Sequence, residues 1–206
     1  MDPTVRRTID ELVVAAERHD ATRPDRLDRW RVLEPDAGRL LWFLTQALGA
    51  RSIVEIGTSR GVSTLWLADA ARSTGGHVVS LDLDAAAQDD ARRSVTAAGL
   101  AEHVTFRPQD GGAALAEMPD GAVDLLFLDA ERTEYPSWWP HPVRVLRAGG
   151  VLVADNALSH PEEIAPLRDL LEQDPAITTT TTLGVGKGEL VALRRRAGAG
   201  ARPRRT

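Results

Sequence analysis

The chain has 206 residues, 43% of them hydrophobic and 27% charged, with a formal net charge of -5 and no cysteine. That length and composition suit one soluble globular domain whose core needs no disulfide or metal staple, and the acidic balance argues against a general nucleic-acid binder. The lack of Cys excludes thiol nucleophiles and Cys-based zinc sites and fits a reducing cytoplasm, while no secretory signal or bilayer-spanning apolar run points to export or a membrane.

Residues 1–48 form a helical lead-in. Thr4 to His19 puts Ile9, Leu12, Val13 and Ala16 on one helical face. Asp20 to Arg31 is charged and irregular around Pro24, and Pro35-Asp36 starts a second helix that runs to Leu48 and stops at Gly49. Strands are then expected at Ser52–Ile56, His77–Leu81, Val104–Arg107, Val123–Leu128 and Val151–Ala154. Between them lie helical patterns at Val62–Arg72, Ala85–Ala98, Gly112–Met118 and Ser137–Leu146. Near-continuous apolar strands, each followed by a helix, imply a parallel sheet covered on both faces. The ending differs. After a helix at Glu162–Gln173, strands Ile177–Leu183 and Glu189–Arg194 are joined through LGVGKG, a short connection that makes an antiparallel hairpin. The domain is expected to occupy residues 1–196, and 197–206, AGAGARPRRT, to be a disordered tail.

In an open parallel sheet, ligands bind beyond the carboxyl ends of the strands. The polar residues there are Glu55, Gly57 and Gly61, Asp82, Asp110-Gly111, Asp129, and Asp155-Asn156. The stretch IVEIGTSRGVS reads as a cofactor-binding turn that includes Thr58, Ser59 and Ser63. Its glycines would let the backbone approach a ligand, and the helix beyond offers unpaired N–H groups. Asp82, followed by Leu83, stands where a carboxylate can accept both hydroxyls of a ribose, and Asp84 is assigned to capping the next helix. Asp110-Gly111 either borders an adenine or caps a helix. Glu55 either neutralises a bound cationic group or anchors the loop.

In this order, EIGTSRG, SLDLD, FLDAERTEY, LRAGGVLVADN and the closing hairpin resemble class I S-adenosylmethionine-dependent methyltransferases. More narrowly, they resemble the catechol and caffeoyl-CoA O-methyltransferases among small bacterial enzymes, over roughly Leu33 to Arg194. The resemblance implies a Rossmann-like α/β fold, a seven-stranded, mostly parallel sheet with an antiparallel last strand. It also implies S-adenosylmethionine as methyl donor, a divalent cation such as Mg²⁺ on Asp129, Asp155 and Asn156, a small-molecule substrate and a homodimer. Oxygen donors of that kind suit hard cations. In turns, the same residue types are also ordinary caps.

The chain departs from that group at Arg132, where the group usually has a Lys acting as general base. A guanidinium stays protonated at neutral pH and is left with phenolate stabilisation or acidic-substrate binding. His160, four residues past Asn156, is the alternative base. Lys187, the only lysine among 25 Lys and Arg residues, reads as structural or substrate-binding. Ser59 and Val62 stand where aromatic residues are common in that group. Tyr135 is expected near the substrate entrance, and Trp138-Trp139 either walls a flat substrate or divides between core and dimer contact. The leading reading is O-methylation of a small, aromatic molecule. Its rivals are a metal-independent O- or N-methyltransferase using His160, a cofactor-binding regulatory module, and a nicotinamide-dependent oxidoreductase, for which the turn lacks G-x-G-x-x-G.

Overall fold

The computed structural model describes residues 1–25 and 28–196; the tail expected to be disordered lies outside the described residues. Seven strands form one sheet: β1 (Ser52–Ile56), β2 (His77–Asp82), β3 (Val104–Pro108), β4 (Val123–Leu128), β5 (Leu146–Ala154), β6 (Ile177–Leu183) and β7 (Glu189–Arg194). Their order is β3-β2-β1-β4-β5-β7-β6. Strands β1 to β5 pair in parallel, and β7 enters antiparallel between β5 and β6. The hairpin expected from LGVGKG is therefore present, and its second strand joins the sheet interior.

The α-helices among the described residues are α1 (Pro3–Asp20), α2 (Pro35–Leu48), α3 (Val62–Thr74), α4 (Ala85–Ala97), α5 (Gly111–Glu117), α6 (His141–Arg144) and α7 (Pro161–Gln173). Alternation along the strands divides the core. Ile53, Leu125, Phe127, Val151 and Val153 pack with α1 to α4, while Val54, Ile56, Leu126, Leu128, Leu152 and Ala154 pack with α5 and α7 on the other face. Burying each such side chain is worth roughly 1.5–3 kcal/mol.

One expected helix is largely absent. Between Ser137 and Leu146 the chain forms the end of a 3-10 segment, Arg132–Trp138, then the four residues of α6, and Leu146 already belongs to β5. Pro136, Pro140 and Pro142 lack the N–H donors that a continuous helix would use. Strand β5 thus starts five residues before the expected Val151. Its pairing with β4 shifts between Val123↔Leu146 and Leu125↔Val151, where Gly149 takes φ +77°.

Strand order reverses between β1 and β4, since β2 and β3 lie on one side of this pair and β5 on the other. A crevice opens at the carboxyl ends of strands at such a switch point. Four backbone bonds continue the ladder past the strand ends: Gly57 N–H to Leu81 O (2.8 Å), Asp129 N–H to Ile56 O (2.8 Å), Asp155 N–H to Leu128 O (3.0 Å) and Gln109 N–H to Asp82 O (3.1 Å). They bring the polar loops onto a common rim.

Candidate active site

A cavity of about 700 Å³ opens on this rim. Gly57, Ser59, Asp82, Leu83, Asp110 and Gly111 line one end, and Asp129, Arg132, Asp155, Asn156, His160 and Lys187 line the other. The remaining turn residues, Glu55, Thr58, Gly61 and Ser63, are not in its lining; they form the layer beneath.

That layer explains the turn. Gly57 has φ +104°, and a β-carbon there would lie 2.2 Å from the carbonyl oxygen of Asp129. Gly61 has φ +82°, and a β-carbon would lie 2.8 Å from Ala91 Cβ on α4. A β-carbon at either glycine would therefore meet protein, and Gly57 also lines the cavity. Asp82 then fixes the turn: one carboxylate oxygen accepts the N–H groups of Thr58 (2.9 Å) and Ser59 (3.0 Å), and the other accepts that of Asp84 (2.9 Å). Asp84 caps α4 through Ala86 and Ala87, as assigned, and Asp110 caps α5 through Ala113 at 2.7 Å while still facing the cavity.

Glu55 is fully buried and anchors the turn, accepting from Thr64 Oγ1 and Ser80 Oγ at 2.5 Å each. Burial pushes its carboxyl up to about 7; the hydroxyls of Ser63, Ser80 and Thr64 oppose this, and the charge of Asp82 adds to it. Of the two roles considered for Glu55, the geometry matches the anchor. Thr58 Oγ1 joins the same network through Ser80 Oγ (2.6 Å) and Gln88 Nε2 (3.0 Å).

At the opposite end, Asn156 brings two acids together. Its Nδ2 donates to Asp155 Oδ2 (2.8 Å) and Asp129 Oδ1 (3.3 Å), and its own N–H donates to Asp155 Oδ1 (2.6 Å). Asn156 adopts φ +71°, a conformation that asparagine tolerates better than most residues. Burial, then the Asp155 charge, raises the Asp129 carboxyl well above its usual range; burial also raises Asp155, opposed by the Asn156 N–H and the Lys187 charge. The amide nitrogen of Asn156 faces both carboxylates and its Oδ1 accepts from Ser159 Oγ at 3.3 Å, so the three would make a hard oxygen donor set for a divalent cation once the amide is turned over. Among the described residues, no group of three or more His, Cys, Asp or Glu side chains could hold a metal, so the third donor would have to be Asn156.

His160 lies at the start of α7, with Nδ1 2.8 Å from Ser159 Oγ. Arg132 is only 5% exposed, and its guanidinium is tied to Glu163 of α7, Nε at 2.7 Å and a terminal nitrogen at 2.5 Å from the same oxygen. Tyr135 is fully buried, not at an entrance, and its hydroxyl clamps Ala130, accepting from the N–H at 2.8 Å and donating to the carbonyl at 3.2 Å. Trp138 is buried against Gly112 and also lines the cavity.

Sequence reading missed three features. Residues 29–34 cross the cavity, with Trp30 stacked on His19 (centroids 4.3 Å apart) and under the Arg60 guanidinium (4.4 Å). The Trp30 carbonyl accepts Ser59 Oγ at 2.8 Å, and Asp20 accepts the N–H groups of Trp30 (2.8 Å) and Arg31 (3.1 Å). Glu34 pairs with Lys187 at 2.7 Å. Glu189 is fully buried against Asp155; burial, then the charges of Asp155 and Asp129, pushes its carboxyl up to about 10. The one sequence signal for Glu189 was an acid opening an apolar strand.

A family model described as O-methyltransferase matches residues 8–187. The chain belongs to the O-methyltransferase family. It is 31% identical, over 94% of both chains, to a Mycolicibacterium vanbaalenii protein whose name assigns it provisionally to the O-methyltransferases. It is also 31% identical to the catechol O-methyltransferase of Niastella koreensis, over 61% of this chain and 58% of that one. The crystal structure of the Bacillus cereus O-methyltransferase in complex with S-adenosylhomocysteine superposes with a TM-score of 0.74 at 26% identity, covering 91% of this chain and 90% of that one. The methyltransferase fold expected from the motifs is thus present, with β7 as its antiparallel strand.

Proposed function

We propose that this methyltransferase transfers a methyl group from S-adenosylmethionine to a hydroxyl of a small aromatic molecule, assisted by a divalent cation. The observation that carries the reading is one continuous cavity. It joins the Asp82 end of the β1 turn to the Asp129–Asp155–Asn156 end, in a chain whose relative from Bacillus cereus is described with S-adenosylhomocysteine bound.

Asp82 is the residue for the ribose, and Leu83 and Asp110-Gly111 for the adenine. When bound, S-adenosylmethionine supplies a sulfonium methyl that the acceptor oxygen attacks, leaving S-adenosylhomocysteine and one proton. Asp129, Asp155 and Asn156 would hold the cation, whose chemistry there is to lower the pKa of the acceptor hydroxyl and orient its oxygen. His160, at the same end of the cavity, is the candidate acceptor for the proton. Arg132 acts through Glu163, fixing the loop after Asp129 against α7. Trp138 offers a flat apolar wall to an aromatic ring.

The test is methyl transfer to catechol from labelled S-adenosylmethionine, with and without excess chelator. Transfer that chelator removes and Mg²⁺ restores supports the whole reading. Full transfer in chelator would favour the metal-free alternative, for which Lys187 beside the acids is the supporting observation. Absence of S-adenosylmethionine binding in calorimetry would refute both.

A further inference from the structure

Lys187 lies in the β6–β7 connection, and its backbone is held from two sides. Its carbonyl accepts the N–H groups of Leu158 and Ser159 at 3.0 Å each, and Ala157 N–H donates to the neighbouring Gly188 carbonyl at 2.7 Å. These donors follow directly on Asp155-Asn156, so the lysine and the acids belong to one bonded unit. On the other side, Gly186 packs on Ala37 and Glu34 at the start of α2. The ammonium meets Glu34 Oε1 at 2.7 Å and lines the cavity with Asp129, Asp155 and Asn156. Burial pulls the ammonium toward its neutral form, but Glu34, Asp155 and Asp129 outweigh this and keep it charged. Arg132, also at this end, is engaged by Glu163.

We propose that the Lys187 ammonium is a resident counter-ion of the Asp129–Asp155 pair and competes with a divalent cation for it. The acceptor end of the cavity thereby keeps a positive charge whether or not a metal is bound. The proposal rests on the reading of Asp129, Asp155 and Asn156 as a cation site. A fixed ammonium repels a divalent cation, and a half-buried site screens that repulsion less than bulk water does.

The experiment is Mn²⁺ titration of the full-length protein, reading free Mn²⁺ by electron paramagnetic resonance, with thermal melting as a check of folding. Lys187→Met should bind Mn²⁺ about tenfold more tightly than wild type or better. Lys187→Arg, which keeps the charge, should retain wild-type affinity. Adding Asp155→Asn to Lys187→Met should abolish the gain. Equal, Asp155-dependent affinity in wild type and Lys187→Met would overturn the proposal while leaving the cation site standing. Tightening by Lys187→Arg as large as that by Lys187→Met would overturn it too, because charge would then not be the cause. If no variant binds Mn²⁺ through Asp155, the cation site itself falls, and the competition with it.

Discussion

A β-carbon at Gly57 would sit 2.2 Å from a backbone carbonyl, at a φ of +104° that other residues avoid. Backbone cannot swing aside as a side chain can. We therefore expect Gly57→Ala to lower the melting temperature by roughly 5–10 °C, equivalent to ~2–3 kcal/mol in a domain of this size. Unchanged melting with lost cofactor binding would show that this glycine serves the ligand instead. Asp82 is the converse case, a residue with two duties. It holds three backbone N–H groups and also faces the cavity. Asp82→Ala should weaken S-adenosylmethionine binding by about tenfold or more, through lost charge-assisted bonds and a loosened turn. Calorimetry that returns wild-type affinity would place the ribose elsewhere. Gly57, Asp82 and Asp84 were all recognisable in sequence as turn and cap residues. What Gly57 accommodates was not, because Asp129 is 72 positions away and only strand pairing makes them neighbours.

The 3-10 segment Arg132–Trp138 and α7 show how two irregularly placed elements are joined near a site. Arg132 offers two N–H groups to one oxygen of Glu163 from a nearly buried position. The Glu163 side chain is 35% exposed, so solvent screens part of the interaction. Arg132→Ala should cost ~1–3 kcal/mol in chemical denaturation, and a double-mutant cycle with Glu163→Gln should assign most of that to the pair. Arg132→Lys should recover only part, since an ammonium lacks the planar fork. Full additivity in the cycle would show the two side chains to be energetically independent. The segment at residues 29–34 was harder to read. Its charged, aperiodic residues resemble any surface loop, and Trp30 gains meaning only through His19, Arg60 and Ser59 brought to it by other elements. The shortened α6 was legible in the chain itself, since three prolines in seven residues oppose a helix whatever the apolar spacing.

Across the molecule, several buried acids set the response to pH. Burial raises Glu55 from its usual 4.5 to about 7. Between those values the native state retains a proton that the unfolded chain has released, so stability falls as pH rises through this window and is level above it. The contribution of Glu55 is on the order of 3 kcal/mol, and Asp129, Asp155 and Glu189, each raised chiefly by burial, tilt stability in the same direction. Urea denaturation from pH 5 to 8 should show wild type losing more stability than Glu55→Gln; parallel curves would mean that Glu55 is not protonated in the folded chain. Local sequence sufficed for the alternation of strands and helices, the hairpin ending and the strand-end acids, since hydrophobic period and turn chemistry act over a few neighbouring residues. Tertiary structure alone decided which strand ends meet, that Glu55 lies beneath the turn and Asp82 on it, that Arg132 faces Glu163, and that Lys187 is set beside Asp155. Those outcomes follow from strand order and burial, which bring together residues dozens of positions apart and which no short stretch of sequence encodes.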